Sequence, residues 1–158
     1  MTDASAFFPY PDSKLTSSSG FLNNLHEDEI KIVVGFGQMR RYLPDEYAVR
    51  AGDPGRTLFI IMNGRFQVLV PSPRGFDRAN DLSAGDIFGE LAFFDRLPRE
   101  ADVRAVTNAE ALIMTPEGFE RFRLREPRLA ILFVLDLGRI LSTRFRTYNR
   151  RLAALGKL

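Results

Sequence analysis

From Arg41 to Met114 the chain breaks into short apolar runs separated by Pro, Gly and Asp, and beyond Glu126 it changes to a long helical period. That order narrows the fold more than any other feature. Runs near 48–50, 58–62, 66–70, 86–87, 103–106 and 111–114 alternate or stay apolar between turn residues, as short strands do. Many short strands with regular turns imply a sandwich or a barrel-like roll. Pro71-Ser72-Pro73-Arg74-Gly75-Phe76-Asp77-Arg78 reads as the loop of a hairpin. A helical stretch precedes the strands, from about Phe21 to Gln38, and Gly35 and Gly37 should end it. After the strands, Phe119-Glu120-Arg121-Phe122 makes a short helix, and Glu126-Pro127 opens one running to about residue 155, since proline suits a first helical turn. Residues 1–20, with Phe7-Phe8-Pro9-Tyr10-Pro11 and a serine run, have neither period and read as a flexible arm whose aromatics could dock on the domain or on a second subunit. The expected class is α+β: an antiparallel, jelly-roll-like β-roll over residues 21–158, with a short N-terminal helix and a long C-terminal helix.

Along that last helix Val134, Gly138, Leu141, Phe145, Tyr148, Leu152 and Leu155 recur at alternating steps of four and three. Such a seam lets two helices bury together what neither buries alone, so a homodimer through the C-terminal helix is expected. The competing expectation is that the stripe packs only on its own roll.

Composition removes several chemistries. The chain has no cysteine, which excludes disulfides, thiolate catalysis and cysteine metal sites. His26 is the single histidine, so the multi-histidine centre of a jelly-roll metalloenzyme cannot be built, and a capping or surface role is expected for it. No nucleophile–base pair stands out, no apolar run approaches a membrane span, and the first ten residues lack the pattern of a secretory signal. A non-enzymatic cytoplasmic protein is the expectation, with no metal and no cofactor. Net charge is only +2, yet ten basic residues lie between Arg121 and Lys157 against Glu126 and Asp136. A solvated helix face explains that better than nucleic acid does.

The chemistry concentrates in residues 88–104. Glu90 stands directly behind Gly89, and Arg99 follows nine residues later behind Pro98. A glycine allows close approach to the backbone, a helix opening at Glu90 would aim free N–H groups at an anion, and an arginine can fork onto a phosphate. Glu90 could accept hydrogen bonds from sugar hydroxyls. A phosphate beside a ribose is the implied ligand.

The runs Phe88-Gly89-Glu90-Leu91-Ala92 and Pro98-Arg99-Glu100-Ala101-Asp102-Val103 resemble, without a gap, the phosphate-binding cassette of the cyclic nucleotide-binding domain, found in protein kinase A regulatory subunits and in the bacterial catabolite activator protein. Val49–Gly55, Leu58–Val68, Leu82–Ile87 and Val103–Phe119 resemble the rest of that domain, so the likeness covers roughly residues 20–155. It implies a regulatory module that binds a cyclic mononucleotide, cAMP ahead of cGMP, and signals through its C-terminal helix. Arg99 and the cassette amides would hold the phosphate, Glu90 the ribose, and Phe88, Gly89, Leu91, Ala92, Glu100 and Ala101 would complete the ligand-binding set. The C-terminal helix would close over the base, with Tyr148 stacking and Asn149 hydrogen-bonding. No helix-turn-helix follows the helix, so the module is expected to stand alone and to act through a downstream protein partner or a dimer rearrangement.

Two positions depart from the family pattern: Glu100 replaces a small residue and Asp102 a hydroxyl residue, each adding negative charge beside the proposed phosphate. A like-charge pair about 5 Å apart costs roughly 3 kcal/mol at an effective dielectric near 20, and far less if the carboxylate turns to water. The family uses only the backbone N–H at the position of Glu100. The alternative is a nucleotide-free relative, a dimerisation or interaction module in which Arg99 is neutralised by Glu90, Glu100 or Asp102. A cyclic dinucleotide is less attractive, because the acidic flank opposes a doubly charged ligand.

Overall fold

The computed structural model describes residues 25–156. In chain order these form α1 (Glu27–Gly35), β1 (Gln38–Tyr42), β2 (Tyr47–Val49), β3 (Leu58–Asn63), β4 (Arg65–Ser72), β5 (Gly75–Ser83), β6 (Ile87–Phe88), α2 (Glu90–Asp95), β7 (Asp102–Ala105), β8 (Ala109–Met114), α3 (Pro116–Arg125) and α4 (Pro127–Ala154). The strands make two four-stranded antiparallel sheets, ordered β1-β8-β3-β6 and β2-β7-β4-β5. This is the β-roll, with the short helix before it and the long one after.

The run Leu58-Phe59-Ile60-Ile61 is buried at all four positions because its sheet is covered on both faces. Leu58 and Ile60 point to a core shared with the helices, including Val33, Leu112, Phe122, Phe133 and Leu137. Phe59 and Ile61 point to a second core between the sheets, with Tyr42, Phe66, Phe88 and Ala111. The period of two thus divides one strand between two cores. Phe36, Phe93, Phe119, Phe122 and Phe133 form a ring cluster that fastens α3 and α4 beneath the roll, with centroid separations of 5.2–6.0 Å. Between β3 and β4, Gly64 turns at φ +83°, and a Cβ there would lie 2.4 Å from the Asn108 carbonyl oxygen. Only glycine fits that turn.

Several sequence expectations need correcting. The 71–78 segment is mostly strand: β4 and β5 run on to a tight turn, pairing Ser72 with Gly75. β5 escaped notice because eight of its nine residues are exposed and show no apolar alternation. β1, with four of five residues exposed, escaped for the same reason. Helix α1 ends at Gly35 as expected but begins at Glu27, where the His26 N–H donates to Glu29 Oε1 at 2.9 Å; the expected start at Phe21 and the arm of residues 1–20 lie outside the described residues. Of the three cassette phenylalanines, Phe88 and Phe93 are buried, but Phe94 is 47% exposed.

The two faces of α4 separate clearly. Leu129, Ala130, Phe133, Leu137 and Ile140 sink into the helix-side core, while Val134, Phe145, Tyr148 and Leu155 on the seam are exposed. The roll therefore leaves these seam residues largely open, whereas Leu141 and Leu152 are half-buried. Among the described residues no helix is long and apolar enough to cross a membrane.

Candidate functional site

β6 ends at Phe88, the chain turns left-handed at Gly89 (φ +78°), and α2 begins at Glu90. A Cβ on residue 89 would stand 2.7 Å from the Thr57 carbonyl oxygen and 2.9 Å from Arg99 Nη1, so this glycine makes room for the arginine. Arg99 Nη1 donates to the Gly89 carbonyl at 3.1 Å and Nη2 to the Thr57 carbonyl at 2.9 Å. Its backbone is stitched to the 51–57 loop, through Arg99 N–H to Asp53 O and Gly52 N–H to Arg99 O. Arg99 is 8% exposed, and its guanidinium carbon lies 5.8 Å from the centre of the Phe59 ring. Burial pushes its pKa below the ordinary arginine range, and the nearby Glu90 charge opposes that shift. Two of its five N–H groups are committed to carbonyls, leaving three for a ligand. Among the described residues Arg99 makes no ion pair within 4 Å, so it is not neutralised by a side chain.

Glu90 is buried, and its Oε1 accepts from Arg144 Nη1 of α4 at 2.9 Å. Arg144 Nη2 also donates to the Ile87 carbonyl at 2.6 Å. Asp102 departs from its expected place. Its carboxylate is turned away from the cassette's ligand side, Oδ1 accepting from the Ala51 N–H at 2.7 Å and Oδ2 lying 3.5 Å from Arg50 Nε. Glu100 is exposed.

These elements enclose a cavity of about 590 Å³. Cassette residues Phe88, Gly89, Glu90, Leu91, Ala92, Arg99, Glu100 and Ala101 form one wall; Val49, Val68, Val70, Leu82 and Val103 of the roll form an apolar floor; Thr143, Arg144, Thr147, Tyr148 and Arg151 of α4 form the other wall. A volume of this size suits a mononucleotide-sized ligand. Every expected ligand-binding residue lines it except Asn149, which lies one position further round the helix from Tyr148. Asp102 is also outside the lining. The residue missed from sequence is Arg144. Its only signal was membership of the arginine cluster, and its partner is 54 residues away.

Residues 39–126 match the family model described as the cyclic nucleotide-binding domain. The chain belongs to that family. As a cyclic nucleotide-binding domain it is 29% identical over 149 residues to glutaminase 2 of Bradyrhizobium diazoefficiens, covering 94% of this chain and 23% of the relative. It is 30% identical over 105 residues to the CRP-like cAMP-activated global transcriptional regulator of Mycobacterium tuberculosis, covering 66% of this chain and 45% of the relative. The same identity over 105 residues relates it to cGMP-dependent protein kinase 2 of Rattus norvegicus, with 66% and 13% covered. The chain therefore spans less than half the length of each of these relatives. In fold, it superposes on a cyclic nucleotide-binding domain from Methylobacillus flagellatus with a TM-score of 0.77, at 21% identity and covering 95% of this chain and 84% of that one.

Proposed function

We propose that this domain is a cytoplasmic regulatory sensor that binds a cyclic mononucleotide, cAMP ahead of cGMP, in the cavity between cassette and α4. The observation that carries the reading is the seating of Arg99: a buried arginine with no ion-pair partner among the described residues, fixed by two backbone carbonyls at the wall of a nucleotide-sized cavity. The ligand's phosphate takes the remaining Arg99 N–H groups, its sugar lies against Glu90, and its base meets Tyr148. No bond of the ligand is broken. Output passes through α4 to a protein partner.

Thermal melting tests this reading. Ligand at 100 times its Kd adds about 2.7 kcal/mol to the native state, which for a domain of this size raises Tm by about 5–10 °C. Arg99→Glu should abolish the rise. No shift with millimolar cAMP or cGMP refutes the sensor reading.

The exposed seam of α4 supports a C₂ homodimer through its second half, from Leu141 onward, because Phe145 is 65% and Tyr148 58% exposed in the single chain. Size-exclusion chromatography should show a dimer that Phe145→Asp converts to monomer; an unchanged elution volume refutes that contact. One observation favours a second reading, a nucleotide-free dimerisation module: Glu90 already has a cationic partner in Arg144. The melting experiment separates the two.

A further inference from the structure

Helix α4 turns one face away from the roll. Its buried residues Leu129, Ala130, Phe133, Leu137 and Ile140 lie on one side, and at about 100° per residue Ile131, Leu135, Gly138, Ser142 and Arg146 fall on the other. The first four of these make a shallow floor. Ile131 is 54% exposed and Leu135 is half-buried, while Ser142 folds its hydroxyl back onto the Gly138 carbonyl at 2.8 Å. Nothing inside the chain requires the glycine: a Cβ on residue 138 would meet no atom within 4 Å. A glycine in a helix interior nevertheless weakens the helix relative to alanine. What it gains is bare backbone that another chain can approach closely.

The arginines of this face also work against the helix that carries them. Arg128 stands in the first turn, where the helix dipole disfavours a cation, and Arg146 and Arg150 repel each other one turn apart. All three are exposed, and none has an ion-pair partner within 4 Å among the described residues. Arg139, between them, is held by Asp136 at 3.0 Å. No aspartate or glutamate follows Asp136 in the sequence. The outer face therefore spreads three unspent cations over about 33 Å of helix.

We propose that this outward face of α4 is a docking surface for an acidic amphipathic helix of a second protein. The partner packs its apolar stripe over Ile131, Leu135 and Gly138, and sets carboxylates against Arg128 at one end and against Arg146 and Arg150 at the other. Charge decides between occupants. A second copy of α4 would set arginine against arginine here, whereas the dimer seam from Leu141 onward lies about a quarter of a turn round the helix and leaves this face open. Nucleic acid would engage the arginines but leave Ile131 and Leu135 wet. An apolar floor with an arginine rim suits a protein partner. The proposal supplies the chemistry of the protein partner in the reading above, and rests on that reading for α4 as the output element.

The test uses nucleotide-free protein and a fluorescein-labelled acidic amphipathic peptide of about 22 residues, the span from Arg128 to Arg150, with leucines at helical spacing flanked by glutamates. Native protein should bind it in fluorescence anisotropy, with affinity falling as salt rises. The double variant Arg146→Glu, Arg150→Glu should bind at least about tenfold more weakly, and should prefer a version of the peptide with lysine in place of glutamate. Gly138→Leu should also bind about tenfold more weakly, yet melt no lower than native protein, since leucine suits a helix and the position is open. A Gly138→Leu protein that binds like native overturns the proposal, as does native protein that fails to bind the peptide at millimolar concentration. Mixed-sequence duplex DNA that binds native protein more tightly than the peptide does, and is lost in the same double variant, assigns the arginines to nucleic acid and overturns it too. Peptide binding by protein whose melting moves with neither cAMP nor cGMP removes the sensor reading and leaves the docking face standing.

Discussion

Replacing Asp102 by alanine should destabilise the fold and should not improve nucleotide binding, although the sequence places this carboxylate as an obstacle beside the phosphate. In the structure Asp102 is 3% exposed, and its Oδ1 accepts from the Ala51 N–H at 2.7 Å. A hydrogen bond to a charged acceptor contributes about 1.5–3 kcal/mol, and losing it leaves the Ala51 donor unsatisfied. The Arg50 contact at 3.5 Å adds little, because Arg50 is 55% exposed and such pairs contribute about 0–1 kcal/mol. The expected loss is about 2–3 kcal/mol, or about 5–10 °C in Tm. Asp102→Asn keeps an acceptor at Oδ1 without the charge and should lose about 1 kcal/mol. The effect should also spread to the site, since Ala51 opens the loop whose Asp53 and Thr57 carbonyls hold Arg99. Differential scanning calorimetry of the three proteins decides it. An alanine variant melting within about 2 °C of native, or a nucleotide affinity that rises in Asp102→Thr, would show that the carboxylate is not a structural staple.

Two further substitutions probe other parts of the same argument. Gly89→Ala must place a left-handed alanine 2.7 Å from the Thr57 carbonyl; the conformation costs about 1 kcal/mol and the overlap more, so urea unfolding should show a loss of about 2–4 kcal/mol together with lost nucleotide binding, and a loss under about 0.5 kcal/mol contradicts the geometry. Tyr42 is 2% exposed, its hydroxyl finds no partner among the described residues, and burial pushes its pKa above the ordinary value of 10.0, with Arg40 opposing and Glu46 assisting. The folded state therefore holds that proton more tightly than the unfolded chain. The stability this gives is complete below about pH 10 and disappears as pH rises through the raised folded value. Tyr42→Phe should be no less stable than native at pH 7 and should lose less stability than native between about pH 10 and 11; parallel stability curves across that interval would contradict it.

How much of this was legible in the chain follows from how local each signal is. Leu58–Ile61 reads as a strand because burial on both faces leaves four apolar residues in succession. The cassette reads because Gly89, Glu90 and Arg99 fall within one short stretch and their partners are largely backbone. β5 does not read, because solvent on one side and a hairpin partner on the other let almost any polar residue stand there. Tyr148 lines the cavity and Asn149 does not, since one step along a helix is about 100° of rotation and counting residues does not fix the phase. Asp102 and Arg144 were illegible for one reason: each is defined by a partner far away in sequence, 51 residues for Ala51 and 54 for Glu90.

The lining charges make a further point about recognition. Glu90, Asp95 and Glu100 face Arg99, Arg144 and Arg151 around the cavity, three carboxylates against three guanidinium groups. The formal charges of the lining cancel, so what distinguishes one group from another is its burial and its hydrogen-bond partners. Arg144 is occupied with Glu90, and Asp95 and Glu100 stand toward solvent, where water screens them. Arg99 alone combines burial, a fixed orientation and unspent N–H groups. Its two carbonyl partners carry no formal charge, so they hold the guanidinium in place without neutralising it, which is the difference between a binding arginine and one closed into an ion pair.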